Sequence, residues 1–184
     1  MGLNLLKEGD VQQLDSGLTH IRIGLGWESD KADLDASCLM LGKNDKVRSD
    51  ADVIFYHQLE STCGSIVHHG DKQDSDDSSV DAEKIDVDLT KVPNDVAKLL
   101  FVVTIYNANG LNFGQVDDAY IRLVDLTTDE EVLRFELSED ACLEESVLFG
   151  ELTKENGGWN FHALGQAYPG DLGKLLVAYG ANVN

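Results

Sequence analysis

LLFVVTIY, residues 99–106, is the stretch on which the fold turns. Aliphatic and aromatic side chains fill almost every position, so both faces of the segment are apolar. The run has strand length, and its β-branched and aromatic residues suit a pleated backbone. A strand apolar on both faces belongs in the middle of a sheet covered on either side.

Shorter runs rich in Val, Ile, Phe and Tyr flank it. Strands are predicted at 19–25, 36–41, 53–57, 65–68, 85–89, 119–125, 131–136, 146–153 and 159–165. In YIRLV (120–124) and RFEL (134–137) apolar and polar residues alternate, as in strands with one wet face. Short strands separated by turn residues predict an all-β fold, an antiparallel β-sandwich, filling residues 1–184 as one domain. Helices are sparse. Residues 92–97 suit one turn with Pro93 near its start. Residues 171–179 suit a short C-terminal helix, with Asp171 near its N-terminus and Gly180 as its stop.

The chain has 184 residues and a formal charge of −20, with 42% hydrophobic residues. That apolar content supports a folded core. The charge argues against a nucleic-acid partner, because phosphate binding needs Lys and Arg to displace counterions. Cation binding, a basic partner and plain solubility remain open. No apolar run is long enough to span a membrane, so no direct membrane insertion is predicted. The first residues lack the apolar core of a secretory leader. Cys38, Cys63 and Cys142 are odd in number and have no metal-type spacing, which fits a reduced, cytoplasmic protein.

The sharpest change in composition is GDKQDSDDSSVDAEKIDVDL, residues 70–89. It carries Asp71, Asp74, Asp76, Asp77, Asp81, Glu83, Asp86 and Asp88, opposed only by Lys72 and Lys84. The polar first part reads as a surface loop that enters a strand. Packed carboxylates are the hard oxygen ligands that Ca²⁺ requires. Without a cation they repel, at a cost of about 1 kcal/mol per pair at roughly 5 Å in water. A solvated acidic loop is the alternative reading of these residues alone. The loop is not an EF-hand, because no glycine lies between Asp71 and Asp88 to make the required turn. A second acidic group, Asp30, Asp33 and Asp35, has the D-x-D spacing that places Asp33 and Asp35 on one face of extended chain. A third candidate is the loop 107–118, whose Asn107, Asn109 and Asn112 could add oxygens or simply form turns.

Other chemistry is weakly represented. Cys63 lies near His57, His68 and His69 in sequence, with no third member to orient a nucleophile. His68 and His69 are adjacent and point opposite ways in a strand. The same holds for Glu144 and Glu145. P-loop, dinucleotide-binding and zincin motifs are absent.

GLGW (24–27), DLDAS (33–37), KVRSDADVIFY (46–56), HHGD (68–71), NFGQV (112–116), SEDA (138–141) and FGEL (149–152) together resemble the TerD family of bacterial tellurium- and stress-resistance proteins. The stretch LESTCGSIVHHGD (59–71) is especially similar to the TerZ branch. The resemblance implies a calcium-binding antiparallel β-sandwich. It implies calcium ligands from the D-x-D motif, here Asp33 and Asp35, and from a long GDN…GDGDDE loop. That loop departs from the family here: Lys72 stands for Asn, QDSDDSSV replaces the glycine-rich middle, and Ala82 interrupts the terminal carboxylates. The expected shell is therefore Asp33, Asp35, Asp71, Asp81 and Glu83, with Asp76, Asp77 and Asn107 as further candidates. The implied role is a cytoplasmic interaction module in which Ca²⁺ orders the acidic loop. The implied partners are other Ter-family proteins, including a membrane-bound one. Three competing readings are a carboxylate-dependent hydrolase on the sandwich, a thiol-based tellurite scavenger, and a purely structural subunit whose acidity only keeps it soluble.

Overall fold

The computed structural model describes residues 2–28, 32–70, 81–137 and 143–183. Among the described residues twelve strands form two six-stranded sheets. They are β1 (Asn4–Leu6), β2 (Val11–Gln13), β3 (His20–Glu28), β4 (Asp33–Leu41), β5 (Val53–Ile54) and β6 (Ile66–His68), then β7 (Glu83–Asp88), β8 (Lys98–Tyr106), β9 (Asp117–Asp125), β10 (Glu130–Glu136), β11 (Ser146–Glu155) and β12 (Gly158–Tyr168). Among the described residues one α-helix, α1 (Leu172–Ala178), follows. The first sheet runs β1-β10-β9-β3-β7-β6 and the second β2-β12-β11-β8-β4-β5. All pairings are antiparallel except β1 with β10, a parallel pair at an edge.

The run 99–106 is β8, and it is central in the second sheet. Leu99, Phe101 and Val103 face the core between the sheets, with Ile21, Ile23, Leu25, Phe149 and Phe161. Leu100 and Val102 face the other way, into a second apolar layer with Leu39, Leu41, Leu148 and helix residues Leu175 and Leu176. The helix thus covers the outer face of the second sheet, which is why β8 has no polar alternation until Thr104. Asp171 caps α1 by accepting from the Lys174 N–H at 2.9 Å, and Gly180 closes it at φ +87°.

Three sequence expectations change. Residues 53–57 are strand only at Val53–Ile54, because Phe55 and Gln58 exchange backbone hydrogen bonds of 3.0 and 2.9 Å and close a turn. Residues 92–97 form a turn closed by the Val96 N–H on the Pro93 carbonyl at 3.1 Å. The strands β1 and β2 had no signal, since three residues are too few to display a period.

The outer face of the first sheet carries an ionic layer. Arg22 holds Asp86 through two bonds of 2.6 and 2.8 Å, and His69 lies 2.8 Å from the same carboxylate. Burial raises the Asp86 pKa, but the Arg22 and His69 bonds outweigh it and the net shift is downward. A carboxylate with a depressed folded pKa stabilises the fold above its unfolded pKa, about 3.9, and loses that contribution as pH falls through the folded value. Asp86→Asn should therefore be less stable than the parent at pH 7, with the gap narrowing once pH falls below the unfolded value of about 3.9. Urea unfolding at pH 7 and below that value tests this, and an unchanged gap would remove Asp86 as its cause.

Candidate functional site

The two ends of the acidic segment are tied to one residue of β4. Ala36 pairs with Val103 of β8. Its own N–H and C=O point to the other edge, where β5 covers only Cys38 and Leu39. Two side chains from the opposite sheet satisfy them instead. Glu83, at the start of β7, accepts from the Ala36 N–H at 2.7 Å. His68, at the end of β6, lies 3.0 Å from the Ala36 carbonyl through Nε2 and 3.3 Å from Glu83 Oε2. His68 Nδ1 accepts from the Gly70 N–H at 2.9 Å. The network assigns a neutral Nε2–H tautomer, since a carbonyl can only accept and Nδ1 is already accepting. Both side chains are buried. The acidic segment thus leaves from Gly70 and returns at Glu83 beside the same backbone unit, and the preceding residue is Asp35.

Asp33 and Asp35 stand on the outer face of β4, as the D-x-D spacing predicts, since Leu34 and Ala36 face the core. Glu83 points between the sheets toward β4. Asp81 does not join them. Its carboxylate lies on the outer face of the first sheet, with bonds of 2.8 Å from Arg122 Nε, from Arg122 Nη2 and from the Tyr120 hydroxyl. It is 1% exposed. The same period of two that would put Asp81 and Glu83 on one face fails because β7 begins only at Glu83. Asp71, Asp76 and Asp77, like Asp30, Asp74 and Cys142, lie outside the described residues.

The glycines of GLGW make room for that anchor. A side chain at Gly24 would overlap the Asp81 carboxylate, and one at Gly26 would overlap the Tyr120 ring. Burial, then the bond to Asp81, pushes the Tyr120 phenol up, so it stays a donor. Arg122 also bonds Glu131 at 2.9 Å, Glu131 bonds Arg134 at 2.6 Å, and Arg134 stacks 4.3 Å from the Tyr120 ring centroid. The sequence offered no sign that Arg122 and Tyr120 would reach across to Asp81.

Asp35 also belongs to a cleft of about 640 Å³ over the polar end of the second sheet. Asp35 and Thr104 lie on its floor, on the outer faces of β4 and β8. The turn 55–57, the loop 107–109 and the start of α1 enclose it. Asn107 and Asn109 line it in left-handed conformations, with φ +46° and +48°. Partial burial, with Asp35 and Tyr106 nearby, holds the Tyr56 phenol above its ordinary range.

The oxygen donors Asp33, Asp35, Glu83 and Asn107 suit a hard cation and not a soft one. Among the described residues no three His, Cys, Asp or Glu side chains come together closely enough to hold a metal. The cysteines divide by environment. Cys38 is fully buried and its thiol is pushed far up by desolvation. Cys63 lies 3.0 Å from Ser65 Oγ and 3.5 Å from Ser61 Oγ. Those bonds outweigh its partial burial and lower its pKa. Among the described residues no helix is long and apolar enough to cross a membrane.

Comparison with known proteins places this geometry in context. Residues 1–179 match the model of the TerD domain. The chain is 42% identical over 193 residues to tellurium resistance protein TerD of an Alcaligenes species, covering 100% of both. It is 39% identical to general stress protein 16U of Bacillus subtilis, covering 95% of this chain and 94% of that one. It is 34% identical to tellurium resistance protein TerZ of Serratia marcescens, covering 84% of this chain and 83% of that one. A crystal structure of a TerD homologue from Streptomyces coelicolor A3(2) superposes with a TM-score of 0.67 at 16% identity, covering 89% of this chain and 97% of that one. With the domain matched from the first residue to the end of the C-terminal helix, the chain belongs to the TerD family of tellurium-resistance and stress-response proteins.

Proposed function

We propose that the protein is a calcium-binding interaction module of a tellurite and stress response. The observation that carries this reading is the tie of both ends of the acidic segment to Ala36, next to Asp35. Carboxylates gathered at one corner repel, and a divalent cation reverses the sign of that interaction. Asp33, Asp35 and Glu83 would contribute oxygens from the strands, Asp71, Asp76 and Asp77 from the acidic segment, and Asn107 from the adjoining loop. Asp81 would serve the site indirectly, by holding the end of the segment against Arg122. Calcium would then order 70–84 into a surface for a partner. We further propose a cytoplasmic setting and partners among other Ter-family proteins, including a membrane-bound one.

Calorimetric titration of Ca²⁺ into chelator-stripped protein, with Mg²⁺ as control, tests the reading. Micromolar or tighter binding is expected from the range of sensor sites. Asp35→Asn and the double variant Asp76→Asn/Asp77→Asn should each weaken it at least tenfold. Asp81→Asn, compared under conditions where it remains folded, should change it far less. Calcium should also raise hydrogen-exchange protection across 70–84. No heat and no change in protection would overturn the proposal.

A further inference from the structure

The cleft above β4 and β8 has a composition that the calcium reading does not explain. Three carboxylates line it, Asp35 from the floor, Glu145 from the approach to β11 and Asp171 from the N-cap of α1. Neither Glu145 nor Asp171 takes part in an ion pair among the described residues. No Lys or Arg is among the described residues lining the cleft. Aromatic rings line the cleft as well. The Phe55 and Tyr56 rings meet edge to face at 5.1 Å, and His57 packs on both at 5.7 and 4.4 Å. Tyr106 lines the same space. Tyr56 and Tyr106 are large, partly solvent-exposed rings, 40% and 51% exposed.

Aromatic faces and carboxylates lining one cleft are the recognition chemistry of an organic cation. A bare divalent ion would use the oxygens and leave the rings idle. A guanidinium uses both, stacking on a tyrosine face while donating two parallel hydrogen bonds to a carboxylate. The volume is also that of a site for a molecule of side-chain size or larger, not for an ion. The linked Phe55, Tyr56 and His57 rings hold one another in place, so little ordering is needed on binding. We propose that this cleft receives a guanidinium on an apolar stem, the form in which a partner protein presents an arginine side chain. The acidity of the chain, −20 overall, would favour the approach of such a basic partner. Asp35 lies between this cleft and the proposed calcium corner, while Glu145, Asp171 and the aromatic rings belong to the cleft alone.

The test is a two-dimensional amide NMR titration of the full chain, with and without calcium. The probe is the capped tripeptide acetyl-Gly-Arg-Gly-amide, and its citrulline counterpart is the neutral isostere. Saturable shifts are expected at 55–57, 104–109 and 171–173 with the arginine peptide, at least tenfold weaker with citrulline. Tyr56→Ala and Glu145→Gln should each weaken the arginine peptide at least fivefold, with spectra otherwise superimposable on the parent. Both variants should keep calcium affinity within twofold, so failure of the cleft and failure of the calcium corner are read separately. Free agmatine serves as a further arm. Weaker binding than the peptide supports a protein source, and tighter binding overturns that source in favour of a small free cation. Equal shifts with arginine and citrulline, or shifts confined to other regions, would overturn the proposal.

Discussion

Asp81→Ala is expected to lower the unfolding free energy by about 3–5 kcal/mol, as for a buried ion pair broken on one side. The measurement is equilibrium urea unfolding in chelator, so that calcium contributes nothing to the difference. The argument rests on what the carboxylate leaves behind. Arg122 donates to both Asp81 oxygens, and Tyr120 donates to one of them. Removing the carboxylate strands a charge that is itself only 19% exposed at the side chain and a phenol that is buried. Glu131 still faces Arg122 at 2.9 Å, which moves the expectation toward the lower end of the range. The chain has lost its anchor at the exit of the acidic segment as well. A loss under about 1 kcal/mol would mean that the pair behaves as an ordinary surface ion pair and supports nothing.

Gly26→Ala carries the second large effect, a loss of about 2–3 kcal/mol by overpacking. A Cβ there would fall within the Tyr120 ring, whose hydroxyl bonds Asp81 and whose face carries Arg134. The ring must swing away, and the swing breaks the hydroxyl bond and the stacking together. The effect should therefore be strongly coupled to Tyr120. In a Tyr120→Ala background the same glycine substitution should cost less than about 1 kcal/mol, a coupling of the size seen for residues in direct contact. Additive losses in the double variant would show that the glycine is required by its own backbone rather than by the ring. Gly26 does not have a positive φ among those of the chain, so the close approach of Tyr120, and not a left-handed conformation, is the reason for it.

Both predictions concern residues whose importance a local pattern could not express. GLGW is visible as a motif, and its glycines lie within β3 rather than in a turn. That position is a sign of close approach by something else. What approaches comes from β9 and from the chain ahead of β7, which flank β3 on either side in the sheet. Likewise, the alternating residues of YIRLV placed Arg122 on a wet face correctly. Its partner Asp81, forty-one positions earlier, is set only by the pairing of Gly24 with both Arg122 and Lys84.

The sequence by itself determined the sandwich, the doubly covered β8, the C-terminal helix with its Asp171 cap, the common face of Asp33 and Asp35, and the family. All of these follow from periodicities and motifs a few residues long, or from similarity along the whole chain. Only the tertiary structure decided that Asp81 and Glu83 part to opposite faces of one sheet. It also brought His68 and Glu83 to the same Ala36 peptide unit, and built a cleft from Asp35, the 55–57 turn, Glu145 and the start of α1. The physical reason is that side-chain alternation is a property of a single strand. Which strands lie side by side, and where one ends, is settled by the register of sheets whose strands lie far apart in the chain.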